Sequence, residues 1–356
     1  MMQLTMVASF LVLLCLFGTI AATTNGARDD NAMTSHEVIP SKYIIGPSSS
    51  CILGVKSVAI NLYTSDNPKG KFVKINESCN LFDHSKPVFV MTHGFLANSR
   101  DYNFSDFASL LLKKDYTVFA LDWSNASCYN DPAVVKLLLY PSAVHNTRKV
   151  GEYLAKYLES IIDTCHVPLK NITLMGHSLG AHISGFAAKH LQKSGYGKIP
   201  LLIGTDPAAP LFIWRIWYCK DRFCKTDAER VVALHTSALG LQISLGHLDL
   251  WFNNGLSQPK CGGLIIGSLK VNCSHNIAIE YLAITLKDDC VFIGIPISSR
   301  KSPIPNPVPG CSSDKTNCVV MDDKLFDPSD TLEGNYCASV SSEYPYCTKK
   351  NDSCKK

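Results

Sequence analysis

Three observations predict a doubly wound α/β fold built on a mostly parallel sheet. From Cys51 onward, apolar β-rich runs alternate with helical stretches. Several of the runs are apolar almost throughout, the pattern of strands covered by helices on both faces. The 356 residues are 46% hydrophobic and 18% charged, the balance of a chain that buries a core rather than one that stays unfolded.

Taken in order, strands are expected at 55–63, 87–92, 116–122, 171–176, 199–205 and 231–236. Helices are expected at 104–113, 143–164, 179–194 and 276–286, where the apolar residues recur at helical spacing. After Asp289 the character changes. Pro296, Pro303, Pro305, Pro307, Pro309 and six cysteines dominate with little periodicity. Residues 290–356 are therefore expected to be a loop-rich, disulfide-pinned extension of a single domain covering 44–356. No internal repeat is present.

The opening MMQLTMVASFLVLLCLFGTIAA is an apolar stretch ending in small residues, although it lacks a Lys or Arg near its start. It reads as a secretory signal over residues 1–21, with Thr19 and Ala21 supplying the small-x-small pattern. Cleavage after Ala27 is an alternative, and an uncleaved anchor is disfavoured because the run is short for a full span. The polar residues after it, 22–43, read as a flexible leader or short propeptide.

Cysteine usage agrees with an extracellular destination. One of fifteen cysteines, Cys15, falls in the signal, leaving an even fourteen. That density implies disulfides, and the absence of any CxxC pair argues against zinc. Sequons occur at Asn76, Asn103, Asn125, Asn171, Asn272 and Asn351; Asn171, at the head of an expected core strand, and Asn272, beside a cysteine, are the weakest of them. A formal charge of +4 without a Lys/Arg cluster gives no reason to expect a nucleic-acid partner.

The chemistry centres on Gly176-His177-Ser178-Leu179-Gly180, which follows the apolar run 172–175 and precedes a helix-like AHISGFAAKHL. A sharp strand-to-helix turn leaves no space for side chains beside the serine. It lifts the hydroxyl to the C-terminal edge of the sheet, at the positive end of the next helix. This is the nucleophile turn of the α/β-hydrolase arrangement; the bland alternative is a tight turn with an inert serine. A serine hydroxyl needs a base, and the base needs an orienting carboxylate, in the chain order Ser, acid, His. Asp206 ends the apolar run 199–205 and so falls on the same edge, whereas Asp221, Asp227 and Asp249 lie in polar stretches that look like loops. Three histidines follow. His235 lies inside an apolar strand and reads as a core residue, while His247 and His275 are both candidates. His275 is favoured because it follows Cys273-Ser274 and directly precedes the helix expected at 276, so two constraints would fix it. For the developing oxyanion, the amides of Leu179, after the nucleophile, and Phe95, in Thr92-His93-Gly94-Phe95 after an early strand, are the candidate donors.

Together THGF, GHSLGAHISGF, GTDPAAP and CSH resemble the pancreatic-lipase family over about residues 51–294. Within it the chain is most similar to hymenopteran venom phospholipases A1. The resemblance implies an α/β-hydrolase, the triad Ser178, Asp206 and His275, and oxyanion donors at Phe95 and Leu179. It also implies a phospholipid surface as substrate, no cofactor, a secreted monomer, and hydrolysis of the sn-1 acyl ester. The lid between Cys261 and Cys273 is short, the segment between Thr236 and Gly246 is cut down, and no length remains for the lipid-binding β-sandwich of long relatives. The family's calcium-binding loop is not recognisable around Cys224–Asp227, so no metal is expected. Resemblance and loop proximity pair Cys51 with Cys128, Cys219 with Cys224 and Cys261 with Cys273. Cys79 with Cys165 is the remaining guess, and the last six cysteines are unreadable.

The lid carries Leu264, Ile265, Ile266, Leu269 and Val271. These either dock onto a bilayer, at about 1.5–3 kcal/mol per buried side chain, or pack as a small loop. Trp214 and Trp217 are equally divided between interfacial anchors and ordinary packing beside Cys219. A triacylglycerol lipase or broad esterase is the runner-up reading. A non-catalytic, yolk-type lipid-binding protein is a further one, disfavoured because all three triad candidates are intact.

Overall fold

The computed structural model describes residues 50–253, 255–262, 268–287, 290–299, 311, 317–349 and 354. The signal, the leader and lid residues 264–266 lie outside the described residues. The strands are β1 (Ala59–Thr64), β2 (Asn67–Val73), β3 (Val88–Thr92), β4 (Thr117–Asp122), β5 (Ile172–His177), β6 (Ile199–Thr205), β7 (Ala228–His235), β8 (Leu248–Phe252), β9 (Cys290–Ile297), β10 (Val319–Met321), β11 (Gly334–Ala338) and β12 (Thr348–Lys349). The main helices are α1 (Phe104–Lys113), α2 (Tyr140–Asp163), α3 (Leu179–Lys193) and α4 (Ser268–Ile284).

The strands form one sheet in the order β10-β9-β11-β8-β7-β6-β5-β3-β4-β1-β2, with β12 also paired to β9. From β4 through β3, β5, β6, β7 and β8 to β11 every pairing is parallel, while β1, β2, β9, β10 and β12 join antiparallel. Along the central strands, side chains alternate between two buried layers. Val88 and Val90 of β3 and Ile172 and Leu174 of β5 enter the layer that α2 and α3 complete with Val150, Leu154, Ile183 and Leu191. Phe89, Met91 and Met175 enter the opposite layer with Phe104 and Phe107 of α1 and Tyr281 and Leu282 of α4. Helices on both faces of a parallel sheet make this an α/β-hydrolase fold.

The helices follow from their residues. On α2, Val150, Leu154, Ala155, Leu158 and Ile161 are buried at i, i+4, i+5, i+8 and i+11, and a proline sits in the first turn where its missing N–H costs nothing. Where α2 meets α3, a Cβ on Gly151 would fall 2.6 Å from Cβ of Phe186, so only glycine permits this approach.

The sheet departs from the sequence expectation in three places. Residues 290–356 are not loop-rich throughout: they supply β9, β10, β11 and β12, and β11 pairs parallel to β8 with Gly334 opposite Leu248. β8 was hidden because Asp249 interrupts its apolar run, and Asp249 is not in a loop but buried within that strand. The polar β2 is an edge strand, where Pro68 and the lysines are tolerated because one side faces water.

Disulfides join Cys51–Cys128, Cys79–Cys165, Cys219–Cys224 and Cys261–Cys273, and in the C-terminal stretch Cys311–Cys337 and Cys318–Cys354. The first two close separations of 77 and 86 residues, each stabilising by roughly 2–4 kcal/mol.

The loop leading into β11 is tied down by charge. The Arg230 guanidinium donates to the Asp330 carboxylate at 2.9 Å, to the Asp330 carbonyl and to the Leu332 carbonyl at 3.0 Å, and Arg230 is buried. Asp330→Ala leaves that guanidinium short of an anionic partner. It is expected to cost about 2 kcal/mol in urea unfolding without change in the active site; an unchanged midpoint would show that the loop is held by its carbonyls alone.

Candidate active site

Ser178 stands between β5 and α3 with φ 57° and ψ −121°, a conformation that an L-residue holds only when its surroundings enforce it. They do so on every side. A Cβ on Gly176 would lie 2.1 Å from the Gly180 carbonyl oxygen, and one on Gly180 would lie 2.2 Å from that of Thr92. The Ser178 N–H donates to the Thr205 carbonyl at 3.0 Å, and its carbonyl accepts from Ala208 at 3.3 Å. The glycines are thus dictated by packing, and the hydroxyl projects from the C-terminal rim of the parallel strands.

Asp206 follows β6 on the same rim and is fully buried. Its Oδ1 accepts from the N–H groups of Thr236 at 2.8 Å and Ser237 at 3.2 Å. Its Oδ2 accepts from the Ser237 hydroxyl and, at 2.6 Å, from Nδ1 of His275. With Nδ1 bound to the carboxylate, Nε2 is the nitrogen left for chemistry, and the geometry holds the neutral ring in the Nε2-acceptor tautomer. The ring of His275 lies 4.6 Å from that of His177, the neighbour of Ser178 in sequence. Ser178, His275 and Asp206 therefore share one rim of the sheet.

His275 does not precede a helix; it lies within α4, which begins at Ser268. Helical residues thus run through Cys273 of the Cys261–Cys273 disulfide, and lid residues 268–272 belong to this helix. Asn272 is exposed on it.

The alternatives fall elsewhere. His247 sits at the entry of β8, on the opposite rim, where its Nδ1 accepts the Val231 N–H at 3.0 Å. His235 is buried, stacked on Trp251 at 3.7 Å, with its nitrogens bound to the Leu241 carbonyl and the Asp249 carboxylate. Asp221 pairs on the surface with Arg148. Asp227 is buried rather than in a polar loop, with its carboxylate 2.6 Å from the Lys189 ammonium and accepting the Cys224 N–H. This is where a calcium-binding loop would fall. An ammonium already neutralises the acid, and the Arg222 guanidinium is close enough to act on it, so these residues do not fit a divalent cation.

The loop after β3 is equally fixed. The buried His93 ring donates from Nδ1 to the Gly94 carbonyl at 2.9 Å and accepts the Trp123 N–H on Nε2 at 3.0 Å. A Cβ on Gly94 would lie 2.9 Å from Cβ of Ser178, so this backbone passes directly beside the serine. The Phe95 ring packs edge-on against Tyr140 at 5.0 Å. Leu179 opens α3, so its N–H has no acceptor within the helix. Phe95 follows Gly94, whose backbone passes beside Ser178.

Two residues at the site gave no signal in the sequence. Ser237 donates to Asp206 and lies 3.3 Å from Nδ1 of His275. Gly240 approaches so closely that a Cβ would lie 2.3 Å from Oδ1 of Asp206. Their only clue was position, directly after a strand that ends on the reactive rim.

Three buried histidines frame the site, and burial pushes each below its ordinary range: His93, His177 and, down to about 3, His182. For His177 the neighbouring His275 adds to the effect.

The sequence profile of the Lipase family matches residues 42–346. A phospholipase A1 of the ant Dinoponera quadriceps is 41% identical over 316 residues, covering 86% of this chain and 80% of that protein. A phospholipase A1 of the hornet Vespa crabro is 39% identical over 307 residues, covering 84% and 98%. One from the wasp Vespula vulgaris is 36% identical over 318 residues, covering 87% and 90%.

Gly240→Ala is expected to displace the Asp206 carboxylate and lower kcat by about 10²-fold in assays on a soluble ester; an unaffected kcat would mean that the carboxylate tolerates the shift. The histidines carry a stability prediction. Folded values below the unfolded 6.5 mean that the unfolded chain binds more protons as pH falls through 6.5, so stability is lost on acidification. Asp227, raised to about 6 by burial, opposes this with one proton against three. The urea midpoint is accordingly expected to fall between pH 7.5 and 5, and a flat profile would refute neutral buried rings. From its profile match, its relatives and its fold, the chain belongs to the pancreatic-lipase family and is a lipolytic serine ester hydrolase.

Proposed function

We propose that this chain is a secreted phospholipase A1 that removes the sn-1 acyl group of a phospholipid through an acyl-Ser178 intermediate. The observation that carries the mechanism is what the rim brings together: a serine held at a strained turn, and an imidazole whose Nδ1 is fixed by a saturated buried carboxylate. The substrate reading draws on the relatives, each of which bears the name phospholipase A1. Secretion draws on the apolar opening segment and on the disulfides that pin the described residues. In this reading residues 1–21 are removed, 22–43 form a leader, and 44–356 act as a single catalytic domain and as a monomer.

The steps follow from the geometry. Nε2 of His275 takes the proton as Oγ of Ser178 attacks the sn-1 carbonyl carbon. The carbonyl oxygen becomes an oxyanion, stabilised by the N–H groups of Phe95 and Leu179. Collapse breaks the ester C–O bond, and His275 returns the proton to the departing glycerol oxygen, releasing a 2-acyl lysophospholipid. Water, deprotonated by the same nitrogen, attacks the acyl-Ser178 ester, and a fatty acid leaves. Asp206 stays ionised throughout and stabilises the imidazolium in each half. The polar contacts needed come from the chain itself.

Parallel assays on phosphatidylcholine vesicles and a triglyceride emulsion, with the lysophospholipid isomer identified, test this reading. Phosphatidylcholine turnover giving the 2-acyl product is expected, and Ser178→Ala should lower it on the order of 10⁴-fold or more. Exclusive triglyceride turnover would reject the substrate class, and undiminished turnover by the alanine variant would reject the nucleophile.

A further inference from the structure

Large apolar side chains are usually buried, yet two short segments beside the site expose them in series. In the 132–140 segment Val134 is 88% exposed, Leu137 72% and Leu138 57%. In the 208–220 segment Trp214 is 64% exposed, Trp217 77% and Tyr218 58%. The two segments meet: the Tyr140 hydroxyl donates to the Pro210 carbonyl at 3.2 Å. They also border the reactive rim. The Tyr140 ring packs against Phe95, next in sequence to the Gly94 backbone that passes beside Ser178, and the 208–220 segment starts two residues after Asp206. The Trp segment is anchored beneath its exposed tips. Phe212 is buried and stacked on His182 at 3.5 Å, the Ile216 carbonyl accepts from the Arg222 guanidinium, and Cys219–Cys224 closes its end.

We infer that these two segments form a bilayer-docking surface, separate from the lid, that seats the mouth of the active site on a phospholipid membrane; the inference rests on the phospholipid reading above. Three features point to a lipid surface. The exposed groups stand at the tips of short turns, suited to entering a deformable phase rather than matching a rigid partner. Tryptophan and tyrosine, apolar bodies with a polar tip, settle at the boundary between headgroups and acyl chains. The charge is one-sided: residues 132–140 and 208–220 carry Lys136, Arg215 and Lys220 and not one acidic residue, which complements anionic headgroups. Docking here would present an acyl ester to Ser178 without the lipid crossing water.

The four tryptophans make the inference directly readable, because Trp123 and Trp251 are fully buried and only Trp214 and Trp217 are exposed. The full chain with Ser178→Ala, which cannot consume the lipid, is titrated with vesicles of phosphatidylcholine containing a minority of phosphatidylglycerol. Vesicles with acyl chains brominated are compared with unbrominated ones. The expected result is a blue shift and strong quenching by the brominated chains. In the same background, Trp214→Ala/Trp217→Ala should lower vesicle partition by at least about tenfold. The same pair of substitutions on the Ser178 enzyme should leave hydrolysis of a soluble short-chain ester unchanged, which verifies the fold. Binding without quenching, an unchanged partition in the double variant, or loss of soluble-ester hydrolysis would each overturn the inference. Quenching without any phosphatidylcholine hydrolysis by the Ser178 enzyme would leave the docking surface standing and reject the substrate reading instead.

Discussion

A single buried carboxylate organises the reactive end of this molecule. Asp206 accepts from two backbone amides, one hydroxyl and one imidazole. A charge with no exposure is tolerable only when its lone pairs are met in this way. The donors come from the residues that follow β7 and from α4, the latter 69 residues beyond Asp206 in the chain. The same contacts that keep the anion satisfied therefore fix the spacing between sheet and helix. Gly240 completes the arrangement by having no side chain where the carboxylate must sit. Stability and chemistry coincide here: the groups that solvate Asp206 are those that orient His275.

The surrounding histidines show how a rim with many imidazoles can offer one base. His93 donates to a carbonyl with one nitrogen and accepts an amide with the other; His182 does the same between Ala208 and Phe223. His177 is held between the Thr205 carbonyl and Asn276, and His235 between Leu241 and Asp249. Each has both nitrogens committed to structure. His275 is instead held through Nδ1, by the Asp206 carboxylate on the reactive rim.

The central fold was legible because β3, β4, β5, β6 and β7 are apolar runs, with α1, α2 and α3 between the first four of them, and burial on both faces leaves no other pattern. Ser178 and Asp206 stood out because each terminates such a run. Legibility failed where pairing depends on distant partners. β8 contains Asp249, which is acceptable in a core because His235 faces it from the next strand and the Leu245 and Gly246 N–H groups donate to it. β11 is the short sequence GNYCA, a strand only because β8 and β9 border it. The start of α4 was misjudged because Cys273 looked like a boundary, whereas the helix runs through it. Ser237 and Gly240 were invisible because their role is set by Asp206, thirty-odd residues earlier.

The position of β11 has a consequence for how the chain is made. β9 is synthesised before β11, yet in the sheet β11 separates it from β8. While the polypeptide emerges from the ribosome, the rim of β8 stays unpaired until residue 338 has left the exit tunnel. The strand that completes the main path of the sheet is thus an interior one, and only the short β12 follows it in the chain. Nascent chains interrupted anywhere before that residue leave the edge of β8 open, a sticky β-edge that folding helpers must shield.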